Sequence, residues 1–232
     1  MRRWSGYVEL ADEDREALLA LPYTLKSFSR EHYIVREGQQ AHECALLLSG
    51  FAFRQKLLRD GARQIISIHI PTEFVDLQNS LLGVADHSVQ SLGSCEIAAV
   101  PRQAVIELRD RSPAIRTAMW IETLIDASIF REWVLNVGRR DAYTRMAHVL
   151  CELLTRLRAV GLVEDHACDL PITQGEFGVS TVHVNRVLQQ LRADGLIELT
   201  GDGLKVPDWD RLKEAGEFDP TYLHLVRDDA AA

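Results

Sequence analysis

The chain has 232 residues, 47% hydrophobic and 26% charged, a soluble globular composition that excludes disorder and allows one large core or two ordinary ones. Its 26 Lys and Arg against 34 Asp and Glu leave a net charge of −8, which excludes coating nucleic acid by bulk charge, so any such contact must be local. No apolar run approaches the ~20 residues of a membrane helix, and the amino terminus lacks the apolar centre of a secretion signal, so a cytoplasmic protein without a membrane partner is expected.

Cys44, Cys95, Cys151 and Cys168 contain no C-x-x-C pair, so zinc and iron–sulfur ligation lack their usual spacing. His148 and Cys151 could share a helix face, but two ligands do not make a site, and no metal or cofactor is expected.

In chain order, residues 9–21 set Leu10, Leu18, Leu19 and Leu21 among acidic residues, predicting a short amphipathic helix stopped by Pro22. From about 24 to 100 the pattern becomes short apolar segments: Tyr33–Val35, Cys44–Leu48, Phe51–Phe53, Gln64–Ile70, Ser88–Leu92 and Glu96–Val100. Glycines at 38, 50, 61, 83 and 93 punctuate them near the spacing of an all-β sandwich or barrel. Asp60-Gly61 is the clearest hairpin turn, since both residues tolerate positive φ. The economical fold for this part is an antiparallel β-roll.

Ile106 and Leu108 open a short helix, and Ser112-Pro113 offers a cap and first-turn proline for a long one ending near Gly138. That helix is apolar on more than one side, so one face can pack on the β-domain while another needs a partner. A two-helix seam across a homodimer is the expected partner, although the a/d pattern is irregular, and the alternative is a helix buried within a monomer. Gly138-Arg139-Arg140-Asp141 reads as a hinge, with Gly138 as the break and Asp141 as the cap of the next helix, which runs to about Val160. The acidic tail after Pro220 is expected to fray.

The run Ile172–Ile197 has the outline of a helix-turn-helix, with two short strands as a wing around Thr200–Gly203. In its second helix Ser180 can cap, Val184, Val187, Leu188 and Leu191 form one buried stripe, and Gly195 can close. Thr181, Val182, Asn185, Arg186 and Gln189 face outward. Residues 180–192 carry Arg186 and Arg192 and no carboxylate, a local basic patch. Arg can take a guanine edge bidentately, while Ser180, Thr181, His183 and Asn185 can serve bases or phosphates. The alternative for this stretch alone is an ordinary polar surface helix.

In their order these segments resemble the Crp/Fnr family of bacterial transcription regulators. The residues that carry the resemblance are Arg36-Glu-Gly38, Leu46-Leu-Leu-Ser-Gly50, Pro71-Thr-Glu-Phe-Val-Asp76, Arg140-Asp-Ala-Tyr-Thr-Arg145, Leu170-Pro-Ile-Thr-Gln174 and Ser180-Thr-Val-His-Val-Asn-Arg186. The resemblance implies an α+β chain: a cyclic-nucleotide-binding-like β-roll over 1–112, a dimerisation helix over 113–138 and a winged helix-turn-helix domain with acidic tail over 139–232. It implies double-stranded DNA with a palindromic operator, a second copy of the chain and RNA polymerase as partners. Thr173, Gln174, Ser180, Thr181, Val182, His183, Asn185, Arg186 and Gln189 are the implied DNA-contacting set, with Arg186 as guanine reader. Val182 stands where the family often has glutamate, favouring a thymine methyl over a cytosine amino group.

The implied effector pocket comprises Phe74, Asp76, Leu77, His87, Ser88, Phe130 and Arg131. Leu77 occupies the position of the ribose-binding glutamate of cyclic-AMP binders, and His87-Ser88 replace their phosphate-binding Arg-Ser pair. Leu accepts no hydrogen bond, and a mostly neutral His replaces a fixed guanidinium poorly, so cyclic AMP is not the expected effector. The cysteines of an oxygen-sensing cluster are absent, haem through a His stays open, and the small-molecule effector, if any, is unknown. Between Gln174 and Ser180 the family usually has nine residues and this chain has five, a loss of about one helical turn.

The leading expectation is a dimeric sequence-specific DNA-binding regulator that is not an enzyme. The alternative is a dimeric sensor or scaffold whose shortened helix-turn-helix no longer reads DNA. An enzyme finds little support, since no P-loop, H-E-x-x-H or G-x-S-x-G motif occurs.

Overall fold

A computed structural model describes residues 2–164, 169–170, 182–200 and 203–225. The chain divides into two compact units, Met1–Phe130 with His224–Ala232, and Arg131–Leu223.

The first unit opens with two short helices, α1 (Arg2–Ser5) and α2 (Asp12–Leu19). Seven strands follow: β1 (Thr24–Phe28), β2 (Tyr33–Val35), β3 (Glu43–Ser49), β4 (Ala52–Leu57), β5 (Arg63–His69), β6 (Ser88–Ser91) and β7 (Cys95–Pro101). The short helix α3 (Asn79–Leu82) lies between β5 and β6. The strands form two antiparallel sheets, ordered β1-β7-β3 and β2-β6-β4-β5, which make the expected β-roll. One core cluster gathers Ala45, Leu47, Ala52, Val75, Val89, Cys95, Ile97 and Ala99, from both sheets and the β5–β6 connection. Gly50 turns β3 into β4 at φ +73°, and a Cβ there would stand 2.2 Å from the Ser94 carbonyl oxygen. Both the left-handed backbone and the close approach require glycine.

Helix α4 (Arg102–Arg111) is followed by the long α5 (Pro113–Gly138). Ser112 caps α5 by accepting from the Ile115 amide at 3.1 Å while its hydroxyl donates to Asp14 at 2.6 Å. Leu77, Val105, Leu108, Ile115 and Met119 close over Trp4 and Leu10 in a second cluster. Each large apolar side chain so buried contributes about 1.5–3 kcal/mol relative to exposure.

The second unit contains α6 (Ala142–Ala159), β8 (Asp169–Leu170), α7 (Val182–Ala193), β9 (Glu198–Thr200), β10 (Gly203–Lys205), α8 (Trp209–Ala215) and a 3-10 turn (Pro220–Leu223). Leu150, Leu153, Leu154 and Leu157 of α6 are fully buried. The wing strands pair antiparallel as expected, and β8 joins them in the order β8-β10-β9.

The structure corrects four expectations. Strand β1 was hidden because Thr24-Leu-Lys-Ser-Phe28 alternates weakly and lies at a sheet edge. The β4–β5 connection is not a two-residue turn. Only Gly61 of the pair has positive φ, and Asp60 instead accepts from the Ala62 amide at 2.9 Å. Helix α4 begins at Arg102, directly after Pro101, ahead of its first apolar residues. The chain beyond Pro220 is held rather than frayed as far as Leu223, which is buried. The Tyr222 hydroxyl donates to buried Glu152 at 2.9 Å and meets His148 at 3.1 Å.

Candidate nucleic-acid interface and effector region

Helix α7 is anchored by one face. Val187, Leu188 and Leu191 are buried, while Asn185, Arg186 and Gln189 are exposed. It ends as the sequence requires: Gly195 takes φ +70°, its amide donates to the Arg192 carbonyl at 3.0 Å, and the Leu196 amide donates to the Leu191 carbonyl at 2.9 Å. Both bonds satisfy orphan carbonyls of the last turn. The residue before that glycine is tied from two sides, since Tyr143 donates to the Asp194 carboxylate at 2.8 Å and Arg211 to its carbonyl at 2.9 Å. Val182 and His183 lie in the first turn of the helix. Thr173, Gln174, Ser180 and Thr181, and with them the shortened turn, lie outside the described residues.

The segment between α5 and α6 carries a cap at each end. Asp141 accepts from the amides of Tyr143 and Thr144 at 2.9 and 3.0 Å, relieving the orphan donors of α6. Arg145 reaches back to the carbonyls of Asn136, Val137 and Arg140 at 3.0, 3.3 and 2.9 Å, placing a cation where the α5 dipole is negative. Gly138 is the last residue of α5 and is exposed. Arg140 bridges to Glu132 at 2.8 Å with its side chain 9% exposed. The resemblance marked Arg145 as a motif residue, but its capping role followed only from the geometry.

The residues of the implied effector pocket are each engaged by neighbours or exposed. Phe74 stacks on Trp4 with ring centres 5.9 Å apart, and Leu77 is buried in the same apolar cluster. Asp76 is buried and accepts from the Ala45 amide at 2.8 Å, and burial pushes its carboxyl up to about 7. His87 is buried between Asp86 at 2.6 Å and Gln78 at 3.3 Å, and burial, reinforced by the charge of Arg54, pushes its imidazole down to about 4. The Ser88 hydroxyl accepts from the Glu37 amide at 3.0 Å. Phe130 and Arg131 are both exposed on α5.

Beside these, a set of buried charges that sequence reasoning missed links the roll to α5. Arg54 of β4 donates to Asp126 at 2.8 Å, and Arg3 bridges Glu73 and Glu122. Burial pushes the Asp126 carboxyl upward, but the charges of Arg54 and His69 outweigh it and hold the group below its ordinary range. The hint available in the sequence was Arg54 directly after the apolar Ala52-Phe53 of β4. Among the described residues Cys44, Cys95 and Cys151 are buried free thiols, and no group of three or more His, Cys, Asp or Glu could hold a metal ion. No described helix is long and apolar enough to cross a membrane.

The order of roll, long helix and winged helix-turn-helix matches known families in both of its halves. Residues 25–112 match the model of the cyclic nucleotide-binding domain, and residues 144–215 match that of the Crp-like helix-turn-helix domain. The chain belongs to the Crp/Fnr family of transcription regulators. It is 26% identical over 215 residues to the transcriptional activator protein FnrL of Cereibacter sphaeroides, covering 89% of this chain and 86% of that protein. It is 27% identical over 169 residues to the nitrogen fixation regulation protein FixK of Bradyrhizobium diazoefficiens, covering 70% and 69%. Among solved structures, FixK2 from Bradyrhizobium japonicum shares the fold with a TM-score of 0.69 at 22% identity, covering 84% of this chain and 98% of that one. These Crp/Fnr relatives are named as regulators, not as enzymes.

Proposed function

We propose that this Crp/Fnr chain is a dimeric, sequence-specific DNA-binding regulator that joins its second copy along α5 and reads DNA with α7. The observation that carries the reading is the division of α7 into a buried Val187-Leu188-Leu191 face and an exposed Asn185-Arg186-Gln189 face. Arg186 supplies the forked donors that match the O6 and N7 acceptors of guanine in a major groove. Two recognition helices related by a two-fold axis address half-sites about one helical turn, or ~34 Å, apart, hence a palindromic operator. The name of FnrL as an activator favours activation, with RNA polymerase as the further partner.

Support for the dimer comes from α5. Its buried residues include Ile115, Ala118, Met119, Ile125, Ile129 and Trp133. Thr117, Trp120, Leu124, Ala127, Arg131 and Val134 are exposed at alternating spacings of three and four, the repeat of a two-helix seam. Trp120 is 64%, Leu124 51% and Val134 56% exposed in the single chain. Apolar groups this large on one stripe mark an association surface.

The effector is not cyclic AMP in this reading. Leu77 accepts nothing from a ribose, and His87 is neutral and already engaged by Asp86 and Gln78.

Sedimentation velocity of the full chain, alone and with its own upstream DNA, tests the proposal. A dimer that binds DNA is expected, and Trp120→Lys with Leu124→Lys is expected to give folded monomers with weakened DNA binding. A wild-type monomer, or variants that remain dimeric, would contradict it.

A further inference from the structure

A cavity of about 390 Å³ opens into the roll beside β1, β2 and β3, and among the seven expected effector residues only Asp76 lines it. The volume is at the small end of the ~300–1,000 Å³ typical of small-molecule sites. Part of its wall is apolar, with Phe28, Ile34 and Val35 packed against the core cluster of Ile97, and the rest is polar, including Arg36, Gln39, Gln40 and His42. Asn79, 0% exposed, is among its lining residues, and neither Nδ2 nor Oδ1 of its side chain has a hydrogen-bond partner in the protein. A buried amide without partners costs about 1–3 kcal/mol per group, so a donor and an acceptor held together in a cavity constitute a built recognition element. The backbone around it is satisfied: the Asn79 carbonyl accepts from Arg102 at 3.0 Å, and its amide donates to the Asp76 carbonyl at 2.8 Å.

We infer that this cavity binds a small uncharged carboxamide or lactam, whose adjacent N–H and C=O pair with both ends of the Asn79 amide while its apolar body lies against Phe28, Ile34 and Val35. An amide is the complement of an amide whichever way the Asn79 side chain is turned, because each carries one donor edge and one acceptor edge. Of the basic side chains in the lining, Lys26 pairs with Glu43 and Arg36 lies over the Tyr33 ring at 3.9 Å. This inference is independent of the DNA reading, since it concerns a cavity of the first unit and its test uses no DNA.

Titration calorimetry or ligand-observed magnetic resonance on the full-length protein tests it with three probes of one shape: benzamide, N,N-dimethylbenzamide and benzoate. Benzamide is expected to bind saturably. The other two are expected to bind roughly tenfold or more weakly, the loss of a hydrogen bond worth about 1.4 kcal/mol. Asn79→Leu replaces the unpartnered amide with an apolar side chain and is expected to abolish benzamide binding while leaving the melting temperature unchanged or raised. Ile34→Trp fills the cavity from its partly exposed wall and is expected to do the same, which covers the case in which Asn79→Leu fails to fold. No saturable benzamide binding, equal binding of all three probes, or binding that survives both substitutions would each overturn the inference.

Discussion

The Arg54 guanidinium of β4 donates to the Asp126 carboxylate of α5 at 2.8 Å and to the Val75 carbonyl at 3.2 Å. It ties the interior of the roll to the long helix with a charge whose side chain is only 8% exposed. Removing the carboxylate would leave that charge buried without its counter-ion, whereas removing both members would not. Asp126→Ala is therefore expected to destabilise the protein by about 2–4 kcal/mol, below the upper range for buried pairs because Asp126 is 38% exposed. The double variant Arg54→Met with Asp126→Leu is expected to recover much of the loss in urea unfolding. Additive losses would contradict the coupling.

Two buried groups impose opposite pH dependences on the first unit. Asp76 is raised from 3.8 to about 7 by burial, so the stability it permits is full below about pH 4 and is lost as pH rises through 7. His87 is lowered from 6.5 to about 4, so its contribution is present above 6.5 and is lost as pH falls through 4. Asp76→Asn keeps an acceptor for the Ala45 amide but removes the ionisation. Its melting temperature relative to the unsubstituted protein is expected to rise steadily from pH 4 to 8, with an upper bound of roughly 4 kcal/mol at the alkaline end. A difference independent of pH would refute the assignment.

At the other end of the chain, Glu152 is 1% exposed and accepts from Trp133, Arg156 and Tyr222. Tyr222→Phe removes one donor from a buried carboxylate and is expected to cost about 1.5–3 kcal/mol in thermal or urea unfolding. A loss below about 0.5 kcal/mol, the level of an ordinary surface substitution, would contradict a stabilising hydrogen bond from Tyr222 to Glu152.

Much of this fold was legible in the residues, for physical reasons that differ by element. Asp141 and Gly195 act through local backbone chemistry, and both did what their residue types require. The register of β8 with β10, and the Tyr222–Glu152 bond across 70 residues, depend on contacts distant in sequence that no local pattern encodes. The pattern of α5 was hard to read because apolar residues, some buried and some exposed, share one helix. Once burial takes Ile125, Ile129 and Trp133 inward, a subset of the exposed positions, from Thr117 to Val134, recurs at spacings of three and four. Of the candidate sites, the outward face of α7 was readable from spacing. The buried charges that join the roll to α5 were not, because Arg54 and Asp126 lie 72 residues apart and meet only in the folded chain.

The most direct test of DNA reading by α7 is selection of bound sequences from random duplexes, followed by affinity measurement at fixed salt with the unsubstituted protein and with Arg186→Ala. A two-fold symmetric site containing a guanine in each half is expected, with Arg186→Ala losing about 1–3 kcal/mol per contact and relaxing the preference at that base pair. Recovery of no common sequence, or an Arg186→Ala protein with unchanged affinity and preference, would contradict the assignment of α7 as the reading element.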